Sequence, residues 1–270
     1  MAGSAYIGIS GWRYKPWRGD FYPKGLPQRA ELEYASSRLN SIEINGSFYS
    51  LQRPSSWRAW HDTTPDDFVF SVKGPRYVTH LKALRDVRVP LANFFASGVL
   101  ALGAKLGPIL WQLPPRHFFR PPLLTEFLEQ LPRTTTAARA LAVEHDARLD
   151  GKTWFENVPD APLRHALEVR HPSFETPEAV ATLRQHNVAL VVADTAGKWP
   201  AMREQTSDFM YLRLHGADEL YTSGYTDEGL DRWAADIRGW LKNGDVFCYF
   251  DNDVKVRAPY DAMGLAQRLS

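Results

Sequence analysis

A single cysteine, no apolar run long enough to cross a bilayer and almost no net charge mark out what this chain does without. Cys248, in "VFCYF", has no second cysteine in the chain to pair with, so a disulfide framework is excluded and a buried small hydrophobe in a reducing compartment is expected. No stretch approaches about 18 apolar residues. The start "MAGSAYIGIS" has no charged segment leading into an apolar one, so the expectation is a cytoplasmic protein with no membrane partner. A formal charge of +1 gives no global attraction for nucleic acid, which would need a local patch to bind. Histidines and carboxylates fall in no HxxxH-type or clustered spacing, so the sequence identifies no metal and no cofactor.

What is present can build a large core. Of 270 residues, 44% are hydrophobic and 23% charged, the balance of a folded, ordered chain. Nine tryptophans and nineteen prolines are more than packing requires, and many sit in Pro/Gly-containing stretches that read as loops, which points to an aromatic binding surface. Eight short segments rich in β-branched and aromatic residues read as strands: 6–10, 41–45, 68–73, 108–113, 165–170, 188–194, 209–215 and 245–251. Helix-period stretches lie between most of them. They are marked by Leu32, Ala35 and Leu39; by Trp57 and Trp60 behind Ser55 as N-cap; by Leu91, Phe95, Leu102 and Leu106; and by Leu124, Phe127, Leu128 and Leu131. Val180 and Leu183 follow a Thr176 cap and Pro177, and Leu230, Trp233, Ile237 and Leu241 precede Asn243-Gly244. Alternation of this kind predicts an α/β fold, a (β/α)8 TIM-type barrel closed by a helix over 260–269, in a single domain spanning 1–270. A doubly wound open sheet is the runner-up. Residues 132–164 hold more than one connection needs and 194–208 less than a full helix, so the barrel is expected to be somewhat irregular.

"SIEINGSFY" puts Glu43 on a strand with no solvent face. Splitting each strand by parity turns Gly8, Ser10, Glu43, Asn45, Ser71, Lys73, Gln112, Glu168, Arg170, Arg213, His215 and Asp251 into the barrel. Buried carboxylates need partners, and Lys73, Arg170 and Arg213 supply them with matching sign. A structural ion-pair network is the plain reading of Glu43 with Arg213. Lys73, Gln112, Glu168, His171, Asp194, His215 and Asp251 fall at carboxyl ends of strands, the face on which barrel enzymes build their sites. The loops leaving that face carry Trp12, Tyr14, Arg76, His80, Arg116, His117 and Lys198 among other basic and aromatic residues, a positive rim suited to an anionic or ring-bearing ligand.

These residues resemble the YecE-like family, domain of unknown function 72, over nearly the full length: "GISGWRYKPWRGDFYP", "SIEINGSFY", "DFVFSVKGPRYVTH", "LGPILWQLPP", "ALEVRHPSF", "YLRLHG" and "YFDNDVKVRAP". The resemblance implies a TIM-type barrel and no assigned activity. It implies pocket residues at Gly11, Trp12, Tyr14, Glu43, Asn45, Phe48, Tyr49, Lys73, His80, Gln112, Glu168, Arg170, His171, Arg213, His215 and Asn252. Where many relatives read Phe-Asn-Asn on the last strand, this chain reads Phe250-Asp251-Asn252, adding a carboxylate.

Three functions compete. An acid/base enzyme on a small anionic or polyhydroxylated substrate, a hydrolase or isomerase, would use Glu168 or Asp251 as base, His215 as acid, and Lys73 with Arg213 as anion clamp. Lys73 as a Schiff-base lysine is a less favoured version. A nucleic-acid-binding protein or phosphodiesterase would use the basic, aromatic loops. A non-catalytic ligand-binding protein would use the ions only to hold the barrel together.

Overall fold

The computed structural model describes residues 3–155, 158–217 and 219–270. Eight parallel strands close into a barrel in sequence order: β1 Ala5–Ser10, β2 Ser41–Ile44, β3 Val69–Lys73, β4 Leu106–Gln112, β5 His165–Glu168, β6 Ala189–Asp194, β7 Phe209–Leu214 and β8 Asp245–Phe250. All eight expected segments are strands, within a few residues at their ends. Around them run α1 Glu31–Ser36, α2 Gly46–Tyr49, α3 Pro54–Thr63, α4 Arg88–Ala96, α5 Pro121–Gln130, α6 Thr135–Ala142, α7 Pro177–Gln185, α8 Asp227–Trp240 and the closing α9 Ala258–Leu269.

Local chemistry explains where these helices begin and stop. Thr176 caps α7 by accepting from the Ala179 amide, with Pro177 pre-set at the first helical position, and Thr226 caps α8 through the Gly229 amide. Ser55 is not a cap: α3 starts at Pro54 behind Arg53, which places Ser55 inside the helix. The stretch from Leu91 to Leu106 is not one helix either. Gly98 and Gly103, both at positive φ, break it into α4 and a tighter turn over Val99–Lys105, and Leu106 opens β4. The surplus over 132–164 folds as α6, capped by Thr134, and a single turn at Ala147–Leu149; Glu156 and Asn157 of that surplus lie outside the described residues. The 194–208 link carries no helix and instead lays Trp199 across the barrel mouth.

Parity divides the strands as barrel geometry demands. Ile7, Ile9, Ile42, Ile44, Val72, Leu167, Leu190, Val192, Leu212 and Phe250 pack outward under the helices. The barrel interior is layered. Its floor is apolar, with Leu110, Ala166, Ala189, Val191, Phe209 and Phe247. Above it Tyr211 and Tyr249 place their hydroxyls 2.6 Å from Ser71 Oγ and 2.8 Å from Ser41 Oγ. Gly8 sits beside this layer because a Cβ there would stand 1.9 Å from the Ser41 carbonyl oxygen, so any side chain would force β1 and β2 apart.

Candidate functional site

Over the tyrosine layer, the strand ends carry an ionic one centred on Arg213, which is fully buried. Arg213 grips Glu43 with two nitrogens, Nε to Oε2 at 3.1 Å and Nη2 to Oε1 at 2.9 Å. It also reaches Glu168 Oε2 at 2.8 Å and Asp251 Oδ2 at 2.9 Å. Glu43 is completed by Ser10 Oγ and by the Tyr211 hydroxyl at 2.6 Å. Arg170 Nε donates to the other oxygen of Glu168 at 2.6 Å while its guanidinium lies 3.8 Å over the Trp199 ring. His215 accepts from Arg213 through Nε2 at 3.4 Å, which assigns the proton to Nδ1; that nitrogen stands 3.0 Å from Asp251 Oδ2, off the line of a good hydrogen bond. The rings of Trp199 and Tyr221 wall His215 in.

The charges of this layer are fixed by their neighbours. Burial alone would raise the carboxyls of Glu168 and Asp251, but Arg170 and Arg213 around the first, and Arg213 with His215 around the second, hold both well below the ordinary carboxylate range. Burial would likewise lower Arg213, and Glu43, Glu168 and Asp251 hold it firmly charged. Lys73 is a further cation acting on the carboxylates of Glu168 and Asp251.

Lys73 differs from everything around it. Its side chain is buried at the end of β3, yet among the described residues Nζ has neither a hydrogen bond nor an ion pair, and its near neighbour is the Phe48 ring at 4.4 Å. Burial first, and the Arg213 charge second, lower its pKa from 10.5 to about 8, against the pull of Glu43, Glu168 and Asp251. The other buried lysine, Lys105, donates to the carbonyls of His61 and Thr64 at 2.6 and 2.8 Å and is a structural tie.

Clefts open around this mouth. One of about 330 Å3 is lined by His80, Arg85, Arg116, His117, Phe118 and Arg120. His80 joins it to Lys73, since its ring stands edge-on to Phe48 at 5.1 Å. The pKa of His80 is lowered to about 4 by burial and then by Lys73, Arg170, Arg76 and Arg116; His117 is lowered by burial, Arg120 and Arg85. A second cleft of about 240 Å3 holds Trp12, Tyr14, Asn45, Gln52 and Trp60, and a third of about 400 Å3 runs past Phe48, the exposed Tyr49, Arg76 and Tyr77. Backbone strain gathers on the same face. Ala83, Leu84, Asp86, Ala196, Tyr221 and Val256 all hold positive φ in loops that follow strand carboxyl ends.

The structure brings together Glu43, Lys73, Glu168, Arg170, Arg213, His215 and Asp251, with Gln112 opposite Glu168 in the β4–β5 register. Asn45 donates to Ser10 Oγ at 2.8 Å and keeps a buried oxygen without a protein partner. Three expected residues lie apart. Asp194 follows the outward parity of Leu190 and Val192 and accepts from the Tyr225 hydroxyl at 3.0 Å. Asn252 ties β8 to α9 through Asp261 at 2.7 Å. His171 caps the turn after β5 through Ser173 and packs tilted against the Phe118 ring. Asp253 was not singled out from the sequence: half-buried beside Tyr14, it is raised to about 6 by burial and by the Asp251 charge. The "DND" spacing, two carboxylates two residues apart beyond a strand end, was the available signal. Tyr211 and Tyr249 were also passed over.

Fold and site together define a (β/α)8 barrel protein with an ionic interior and a cation-rich, aromatic mouth at the carboxyl ends of its strands. The profile of the family described as "Protein of unknown function DUF72" matches residues 6–270, and the chain belongs to that family. Solved relatives include a DUF72 family protein of Thermotoga maritima, at TM-score 0.75 and 25% identity over 98% of this chain and 99% of that one. Another, from Enterococcus faecalis V583, has TM-score 0.74 and 14% identity over 98% and 95%, and supports the fold alone. The UPF0759 protein YecE of Escherichia coli K12 is 31% identical over 131 residues, which is 47% of this chain and 44% of that protein, so the alignment spans less than half of the relative. Among the described residues no helix is long and apolar enough to cross a membrane, and no group of three or more His, Cys, Asp or Glu is arranged to hold a metal ion.

Proposed function

We propose that this protein is an acid/base enzyme whose small anionic substrate binds at the carboxyl-end mouth of the barrel. The observation that carries the reading is the electrostatic state of the rim. Two half-buried histidines, His80 and His117, have their pKa lowered by burial and by surrounding cations, so the cleft between them presents positive potential to an incoming anion. In this reading Arg85, Arg116 and Arg120 hold a phosphate or carboxylate, and the rest of the substrate extends past Phe48 toward Lys73.

Proton transfer then falls to groups that titrate near neutrality, Lys73 at about 8 and Asp253 at about 6. Glu168 and Asp251 are too firmly ionised to be effective bases near neutral pH; their part is to hold Arg170 and Arg213 and to keep Lys73 charged until substrate arrives. His215, fully buried behind Trp199 and Tyr221, stands 3.0 Å from Asp251 and helps to hold that carboxyl ionised. The test is a thermal-shift series with inorganic phosphate, sugar phosphates, small carboxylates and a short oligonucleotide at low and moderate salt. A small anion should raise the Tm at both salts, and Arg116→Ala should abolish the shift. A shift from the oligonucleotide alone, lost at moderate salt, would replace this reading with nucleic-acid binding.

A further inference from the structure

We propose that Lys73 is a covalent catalyst: its amine forms a Schiff base with the carbonyl carbon of a small anionic aldehyde or ketone. The inference rests on the anion-binding reading above and deepens it by naming the substrate class. Its basis is geometric. A lysine buried for structural reasons spends its ammonium hydrogens on carbonyls, as Lys105 does with His61 and Thr64. Lys73 spends none, although Glu43, Glu168 and Asp251 all lie near enough to act on its charge. Arg213 and Arg170 already occupy the Glu168 oxygens, and Arg213 reaches the other two carboxylates, so the amine stays out of ion pairs and faces an aromatic wall, Phe48. A lysine this far buried whose amine is given no protein hydrogen bond among the described residues is costly to the fold, and sites that do chemistry are where such costs persist.

The step balances with what the site and substrate supply. The neutral Nζ lone pair attacks the carbonyl carbon and a C–N bond forms while the carbonyl oxygen takes up a proton. The nitrogen then passes a proton to that hydroxyl oxygen, its lone pair forms C=N as the C–O bond breaks, and the oxygen leaves as water. The sum is an ammonium plus a carbonyl giving an iminium plus water, with nothing oxidised or reduced. With its pKa lowered to about 8, the amine is neutral at pH 7 roughly two orders of magnitude more often than an ordinary lysine. The anionic end of such a substrate has its seat in the cleft of Arg85, Arg116 and Arg120, which His80 and Phe48 connect to Lys73. The iminium would in turn acidify the adjacent C–H, giving the neighbouring acid and base a proton to move.

The test incubates the full-length protein at pH 7.5 with glyceraldehyde 3-phosphate or pyruvate, adds sodium borohydride, and maps modified lysines by peptide mass spectrometry. Glycerol 3-phosphate and lactate, which lack the carbonyl, are run in parallel by thermal shift. The expected result is a reduced adduct concentrated at Lys73, absent in Lys73→Arg and retained in Lys242→Arg. Adducts spread evenly over exposed lysines such as Lys198, Lys242 and Lys255 would overturn the proposal, and because this readout uses the unsubstituted protein it holds even if Lys73→Arg folds poorly. Binding of glycerol 3-phosphate or lactate with no adduct from either carbonyl probe would overturn the Schiff base and leave the anion site standing. Neither binding nor adduct would overturn both.

Discussion

Replacing Lys73 with methionine should make the protein more stable, and the size of the gain should depend on pH. In the folded state the ammonium is destabilised by burial and by Arg213, so its pKa falls from 10.5 to about 8. That difference corresponds to roughly 3 kcal/mol held against the folded state wherever the lysine is charged in both states. The unfolded chain binds the extra proton between those two values, so stability of the parent protein rises with pH across that window. Below about pH 8 the full cost is present; above about 10.5 it is gone. Lys73→Met, close in volume and without charge, should therefore raise stability by up to roughly 3 kcal/mol at pH 7 and progressively less as pH rises, read from urea unfolding of both proteins at matched pH. His80, Glu168 and Asp251 lose the Lys73 charge in this variant, but all three titrate well below pH 8, so the pH dependence of the difference between 8 and 10.5 belongs to Lys73. Lys105→Met is the control and should lose stability, because it orphans the His61 and Thr64 carbonyls. A Lys73→Met protein that is less stable than its parent at pH 7, by an amount that does not change with pH, would refute the reasoning. A stabilising loss of a polar group would also mark the position as kept for function at the expense of stability.

Two further outcomes follow from the same layer. Arg213→Met leaves Glu43, Glu168 and Asp251 buried without their shared cation, and should cost about 3–5 kcal/mol in urea unfolding or prevent folding; a loss below about 1 kcal/mol, the range of an exposed pair, would contradict the account. Asp253 should titrate near 6 by carboxyl NMR, and because the Asp251 charge is part of what raises it, Asp251→Asn should move that midpoint downward; an unchanged midpoint would mean that burial alone sets it.

The strands were legible because each is a short β-branched or aromatic run, and the inward ions because a charge between apolar neighbours leaves a strand only one way to turn. Glu43, Glu168 and Arg213 are positioned by that alternation. Tyr211 and Tyr249 share it, but a tyrosine satisfies either face, so parity gave no alarm. Asp194 shows the limit in the other direction: a charge at a strand end can turn outward when a loop residue, here Tyr225, supplies its hydrogen bond. The single helix expected from Leu91 to Leu106 failed because apolar spacing continues across Gly98 and Gly103 while the backbone does not. Asp253 lies beyond the strand, where neither period applies, and its raised pKa depends on burial under the first loop, which no local pattern encodes. That Lys73 makes no ion pair among the described residues was equally invisible, since sequence supplied three carboxylates for it and only the register shows Arg213 and Arg170 reaching them first.

The central claim is that the Lys73 amine has no hydrogen bond or ion pair among the described residues, is open to reagents and is poised near neutrality. Its reactivity measures this directly: the native protein is pulsed with trace acetic anhydride across pH 6 to 11 and each lysine is quantified by peptide mass spectrometry. Lys73 should be acetylated with a midpoint near 8, well below the ordinary lysine value of 10.5. If Lys73 titrates at the ordinary lysine value of 10.5, or is not acetylated at any pH, the amine is either an ordinary cation or sealed away, and the site is a structural ion cluster.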